Sequence, residues 1–377
     1  MQSRVVLDSL LALSAVQSWE SGNFKMEHEM LKFRQRALCG CRELLKNIES
    51  KDGTLVSSNS STTAGSDQTV HLLASCVMLL LFEKLAGEGR DNWTPHIEFF
   101  SRLFPGKILQ SPGDTTKDNS EAYTSSNEAL QFLFNLFLYN DLVRSTTLKE
   151  PTLSQFYLQK SVTQDLNSPE QVQAAGRFTF PCIIARIGMG KPVSDEEIAA
   201  WDGRLDWFPS FALVSPQRDL PSVKLPTSDP SLFLDPANES LASLVHCEGW
   251  DHYKLVAELY RIAATIYKRQ CITQSNSQGL IPQIQTGNLP LWGVQLIVRL
   301  DEGSPLENAL LWPIGIIAKE LTESDEAARQ LIMSRLVSLE QRFQMKHFES
   351  MQQHLLRCWA TKDQGLSYHE KEPALFG

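Results

Sequence analysis

The residues through which this chain could do chemistry are its cysteines, histidines and carboxylates, and their spacing decides what that chemistry could be. Cys39-Gly-Cys41 has the residue types of a metal clasp. On a helix, however, residues two apart point about 200° away from each other, so one ion cannot take both thiolates. The spacing instead puts one thiol inward and the other near the surface. His246, Cys247 and His252 supply imidazole and thiolate, yet six positions leave the two rings on different faces. His347 and His354 share a face but stand two turns, about 10 Å, apart. These histidines read as surface groups or as groups satisfied within the fold. Asp202 and Asp206 could form a carboxylate pair for acid–base work. Asp202-Gly203 is also a turn signal, and Arg204 lies between the two as a ready ion-pair partner.

Longer motifs lead the same way. Gly188-Met-Gly-Lys191 lacks the length and the hydroxyl residue of a phosphate loop. There is no Gly-x-Ser-x-Gly elbow and no His-Glu-x-x-His. Asn140-Asp141 with Ser145 and Glu150 faintly resembles the second metal motif of a terpene cyclase. Arg144 stands where that motif needs serine, Leu148 where it needs glutamate, and no Asp-Asp dipeptide occurs to start the first motif. No catalytic, cofactor-binding or metal-ligating residue is therefore assigned, and no cofactor is expected in this chain.

The 377 residues are 42% hydrophobic and 21% charged, ordinary values for a globular protein with a large core. The net charge of −9 argues against a surface that grips phosphates by itself. Seven cysteines, scattered at 39, 41, 76, 182, 247, 271 and 358, suit reduced thiols better than a disulfide framework. Asn59-Ser-Ser, Asn92-Trp-Thr and Asn238-Glu-Ser match the glycosylation pattern, which matters only in a secreted chain. Asp8 interrupts the N-terminal apolar stretch, so no signal peptide is read there. The longest apolar run, Leu72 to Phe82, falls short of the roughly 20 residues that cross a bilayer. A soluble, intracellular protein without a membrane partner is expected.

The elements that must position these residues read as helices. Val5 to Trp19 has a broad apolar face of Leu7, Leu10, Leu11, Leu13 and Val16. Met26 to Leu45 carries a stripe of Met30, Phe33, Ala37, Leu38, Cys41, Leu44 and Leu45 with a period near 3.6. Thr69 to Leu85 is apolar almost all round, as a helix enclosed by others would be. Asn127 to Thr146 is a further helix, and Ser194-Asp-Glu-Glu197 has the form of a capping box. Asp235-Pro236 opens what reads as the longest helical region, ending near Cys271. In Leu310-Leu-Trp-Pro313 the proline fits a first helical turn and Trp312 can anchor several elements. Ser324 reads as the cap of the next helix. Ile332, Leu336, Leu339 and Phe343 form that helix's face, and Phe348, Met351, Leu355, Leu356 and Trp359 that of the last one. No alternating β pattern and no repeat competes. The expected fold is all-α, one multi-helix domain over residues 1–377 without a sheet, with flexible loops at about 49–67, 105–126 and 213–238.

In order and spacing these segments resemble the fungal-specific transcription factor domain, the helical regulatory region of zinc binuclear cluster regulators. The likeness rests on Leu10–Trp19 with Met30–Leu45, on His71–Leu85 followed by Trp93-Thr-Pro-His96, and on Phe132–Asp141. It continues through Phe180-Pro-Cys-Ile-Ile-Ala-Arg, Trp201-Asp-Gly-Arg-Leu-Asp-Trp207, Glu258 to Tyr267, and Leu310-Leu-Trp-Pro313 with the two closing helices. The resemblance implies a nuclear protein that regulates transcription, with secondary metabolism among the gene sets such regulators control. The family's DNA-reading module holds two zinc ions with six cysteines and precedes a basic linker and a dimerising coiled coil. Cys39 and Cys41 cannot supply such a cluster. The chain is accordingly expected to act through the transcription machinery or a DNA-binding co-regulator, with a homodimer allowed, rather than by holding DNA directly. The alternative is an enzyme or small-molecule-binding protein on the same scaffold, for which Trp201 to Trp207 is the place to look.

Overall fold

Apolar spacing near 3.6 becomes helix throughout the computed structural model, which describes residues 3–20, 22–52, 62–86, 95–96, 98–99, 120–148, 179–205, 251–275, 288–343 and 346–364. These residues form eleven α-helices, and among them there is no strand or sheet. The all-α reading therefore stands. The chain divides into two compact units, residues 1–138 with 343–347, and residues 139–342 with 348–377.

The first unit is built on α1 (Arg4–Glu20), α2 (Glu27–Asp52) and α3 (Thr62–Ala86), each packed on the other two. Here the expected face of α1 holds at Val16, with Leu13 packed beside it, and fails at the three other leucines. Leu7, Leu10 and Leu11 are 47%, 46% and 36% exposed, while Asp8, Ser9, Ala12, Ala15 and Val16 are buried. The cause is the closeness of the helices. A Cβ on Gly40 of α2 would lie 2.6 Å from Val5 Cγ2, so α1 meets its neighbours through small side chains that leave room for backbone. Asp8 tolerates burial because Arg36 of α2 pairs with it at 2.8 Å. Met30, Phe82, Leu85 and Ala86 close the core around Ala12, Ala15 and Val16.

Within α3, Gln68–Ala86 is long and apolar enough to span a membrane by length and composition, a stretch longer than the apolar run alone suggests. Some 67% of that window is buried against the rest of the protein, and it contains the buried Glu83, paired with Arg34 at 2.7 Å. Packing against its neighbours thus accounts for its hydrophobicity. The helix also begins at Thr62, inside the stretch read as loop, and α4 (Ser120–Leu148) begins inside the second such stretch. The rest of those two stretches, residues 53–61 and 105–119, and all of 213–238 lie outside the described residues.

The second unit takes α4 from Tyr139 onward, then α5 (Thr179–Gly188), α6 (Asp195–Ala199), α7 (His252–Ser275), α8 (Leu289–Arg299), α9 (Leu311–Ala318), α10 (Glu326–Phe343) and α11 (Lys346–Asp363). With 29 residues α4 is the longest described helix; residues 235–250 of the long helical region expected to end near Cys271 lie outside the described residues. Every residue of α9 is buried, and Pro313 sits in its first turn, where a missing N–H costs nothing. Residues 255–264 of α7 are likewise buried in sequence, so α5, α6, α8 and α9 surround it. Gly293 of α8 is the close-approach residue on α9: a Cβ there would lie 2.7 Å from Ile317 Cδ1. On α11 the expected face holds at Phe348, Met351, Leu355 and Trp359, which are buried; Leu356 is exposed, and Cys358 is buried with them.

Candidate functional site

Four aromatic rings from four parts of the second unit meet where α7 crosses α9. Tyr260 stacks on Trp312 with centroids 5.2 Å apart, and Phe180 meets both edge-on. Phe180 also lies 4.4 Å from Trp201. The polar tips of the stacked pair both have partners. The Trp312 indole N–H donates to Thr146 Oγ1 at 2.9 Å, and the Tyr260 hydroxyl donates to the Ala309 carbonyl at 3.0 Å. Arg261 lies over the Trp201 ring, donates to the Trp201 carbonyl and pairs with Glu258 at 3.0 Å. Trp201 is thus a buried anchor of this aromatic cluster. Trp207 and Asp206 lie outside the described residues.

A second cluster secures the turn at residues 301–307. Buried Glu307 pairs with Arg335 at 2.8 Å, pairs with Arg342, and accepts the Gly303 N–H at 3.0 Å. Arg335 also donates to the Leu300 carbonyl. Next to it is an arrangement that the sequence spacing did not disclose, because its members are 49 and 52 positions apart. His252 Nε2 lies 3.1 Å from Asp301 Oδ2, and Nδ1 lies 3.2 Å from Ser304 Oγ. Serine, imidazole and carboxylate in line are the parts of a nucleophilic triad. Their exposure is the inverse of what that chemistry needs. The hydroxyl is the buried end and accepts the Leu306 N–H, whereas the Asp301 side chain is 78% exposed. The line therefore ties the start of α7 to the turn.

The remaining candidates are also tied to neighbours. Asp202 pairs with Arg204 at 2.8 Å and accepts its backbone N–H, the geometry of a turn around Gly203, whose φ is +78°. Asp141 of α4 is buried against Arg144 at 3.1 Å, so a cation occupies the position a metal would need; Glu150 lies outside the described residues. His354 is buried with Nε2 3.4 Å from Cys358 Sγ. The His347 side chain, His246 and Cys247 lie outside the described residues. Gly188 ends α5, and Gly190 turns the chain with φ +67°. Ser194 caps α6 by accepting the Glu197 N–H at 3.1 Å, while the Glu197 carboxylate pairs with Arg186. Cys39 is exposed, and Cys41 is half-buried. Burial pushes the Cys182 thiol up to about 12, against the pull of Arg186, so it carries no thiolate near neutrality. Among the described residues no three His, Cys, Asp or Glu converge on a common point for a metal ion.

What these clusters do is hold helices against one another. A family model described as fungal specific transcription factor domain matches residues 1–183 and 218–371, most of the chain. The chain belongs to this family. No curated protein and no solved structure matches it. In this fungal specific transcription factor domain the matched residues carry Tyr260, Trp312, Phe180 and the cluster of Glu307 with Arg335 and Arg342. Trp201 and α6 fall in the stretch between the two matched segments.

Proposed function

We propose that this chain is the regulatory region of a nuclear transcription regulator in a fungus, working through contacts with other proteins and catalysing no reaction. Its role as a transcription regulator follows from family membership. The observation that carries the finer reading is that match over residues 1–183 and 218–371, on helices whose polar side chains are engaged with one another. The net charge of −9 fits a protein held at promoters by partners more than by phosphate contacts. On this reading the regulated genes are a metabolic or biosynthetic set. Deletion of the gene in its own host, followed by transcript profiling, is the test. A coherent gene set is expected to change, restored by nuclear full-length chain. An unchanged transcriptome, or full rescue by chain kept out of the nucleus, would overturn the proposal. The purified chain is expected to show no duplex binding at physiological salt; binding with a steep salt slope would contradict action through partners.

A further inference from the structure

Two thiols meet on the seam between α2 and α3. Cys41 is half-buried on α2 and Cys76 is buried on α3; both are free, and the Arg34–Glu83 pair, seven positions before the one and seven after the other, sets the register that brings them to the same level of the seam. Three features hold them there. Gly40, next to Cys41, is fixed against Val5 of α1, where no Cβ would fit without displacement. The two helices pack directly on each other. Cys76 lies among Leu72, Leu73, Val77 and Leu80, buried residues that give it little freedom to leave the seam. Cys39, two positions away, is exposed, as the helical turn between the two requires.

We propose that Cys41 and Cys76 are a reversible dithiol–disulfide pair, oxidised by hydroperoxides, that staples α2 to α3. The two sulfurs divide the chemistry. The contact with Cys76 lowers the Cys41 pKa and the Ser75 hydroxyl helps, so Cys41 is the sulfur that attacks. Its partner is pushed up by the same contact and by burial, and serves as the resolving thiol. The Cys41 thiolate attacks one peroxide oxygen. The O–O bond breaks, hydroxide leaves and takes up a proton, and Cys41 becomes a sulfenic acid. Cys76 then bonds to the Cys41 sulfur as the S–O bond breaks. The Cys76 proton leaves with the hydroxyl as water. Overall two thiols lose two electrons and two protons, and one hydroperoxide is reduced to water and an alcohol, or to two waters from hydrogen peroxide. A dithiol reductant reverses the bond by exchange.

This inference is independent of what the regulator controls. The full chain, fully reduced, is treated with hydrogen peroxide, alkylated and peptide-mapped without reduction. The expected product links the Cys41 and Cys76 peptides, removes two of the seven thiols, and disappears on treatment with dithiothreitol. In a Cys76→Ser variant, dimedone is expected to label Cys41 ahead of the more exposed Cys39. If exposure alone governed reactivity, Cys39 would be labelled first and disulfides would run between molecules. That result, or a map with Cys41 and Cys76 both still reduced when Cys39 is oxidised, would overturn the proposal. The wild-type map decides the matter even if the variant fails to fold.

Discussion

At Ala12 and Ala15 a methyl group is what the gap between α1 and its neighbours accepts, while three leucines of the same helix face outward. Ala12→Leu is expected to cost about 1–3 kcal/mol through overpacking, seen as a lower urea midpoint. Leu10→Ala is expected to stay within about 0.5 kcal/mol; a larger loss for Leu10 than for Ala12 would show that the leucines face inward. Hydrophobicity ranks leucine above alanine, but the distance between helices decides which of them fits. That distance is set by residues elsewhere in the chain, so the apolar count of α1 alone misplaced Leu7, Leu10 and Leu11. Gly40 was the available signal, a glycine inside a helical stripe. Trp312 was legible for the opposite reason, since a ring that large followed by proline has few places to go. Trp312→Phe removes the bond to Thr146 and part of the packed ring, an expected loss of about 1–3 kcal/mol, measured by the same unfolding curve.

Between elements, ion pairs decide how helix meets helix, and these pairs span too much sequence to be read in advance. Arg329 of α10 grips Asp363 of α11 with two bonds of 2.7 Å and lies over the Trp359 ring, whose N–H reaches the Ala318 carbonyl of α9. The Arg329 hydrogen bond holds the Asp363 carboxyl below its ordinary value of 3.8. A depressed folded pKa means stabilisation that is complete above the unfolded value and is lost as pH falls through the folded one. Asp363→Asn is therefore expected to lower Tm at neutral pH, with the gap to wild type closing in acid below 3.8. A gap that stays constant down to that range would assign the loss to something other than this pair. Glu307→Gln leaves Arg335 and Arg342 facing a neutral group at a buried site and is expected to cost about 3–5 kcal/mol in chemical denaturation. Helix starts were the other blind spot. Thr62 and Ser120 begin helices inside Ser/Thr-rich sequence because adding a turn to an existing helix costs far less than starting one. The cap expected at Ser324 is formed one turn-start earlier: the Asp325 carboxylate accepts the Thr322 N–H at 2.8 Å, opening a short 3-10 turn before α10.

For the molecule as a whole, the order of helices and their aromatic anchors was enough to recognise the fungal specific transcription factor domain. What such order cannot encode is the identity of the partners, because recognition depends on outward side chains that no core constrains. His252, Asp301 and Ser304 show the same limit within the fold: they come together only when distant segments close on each other. The central claim is that this helical body alters transcription once it is brought to a promoter. The direct test fuses the full chain to an unrelated DNA-binding domain and measures a reporter carrying that domain's sites in a fungal host. A change of several-fold, up or down, is expected, and it should be lost when Trp312→Ala unsettles the core. A reporter that stays at the level of the DNA-binding domain alone, with the fusion folded and in the nucleus, would contradict the account.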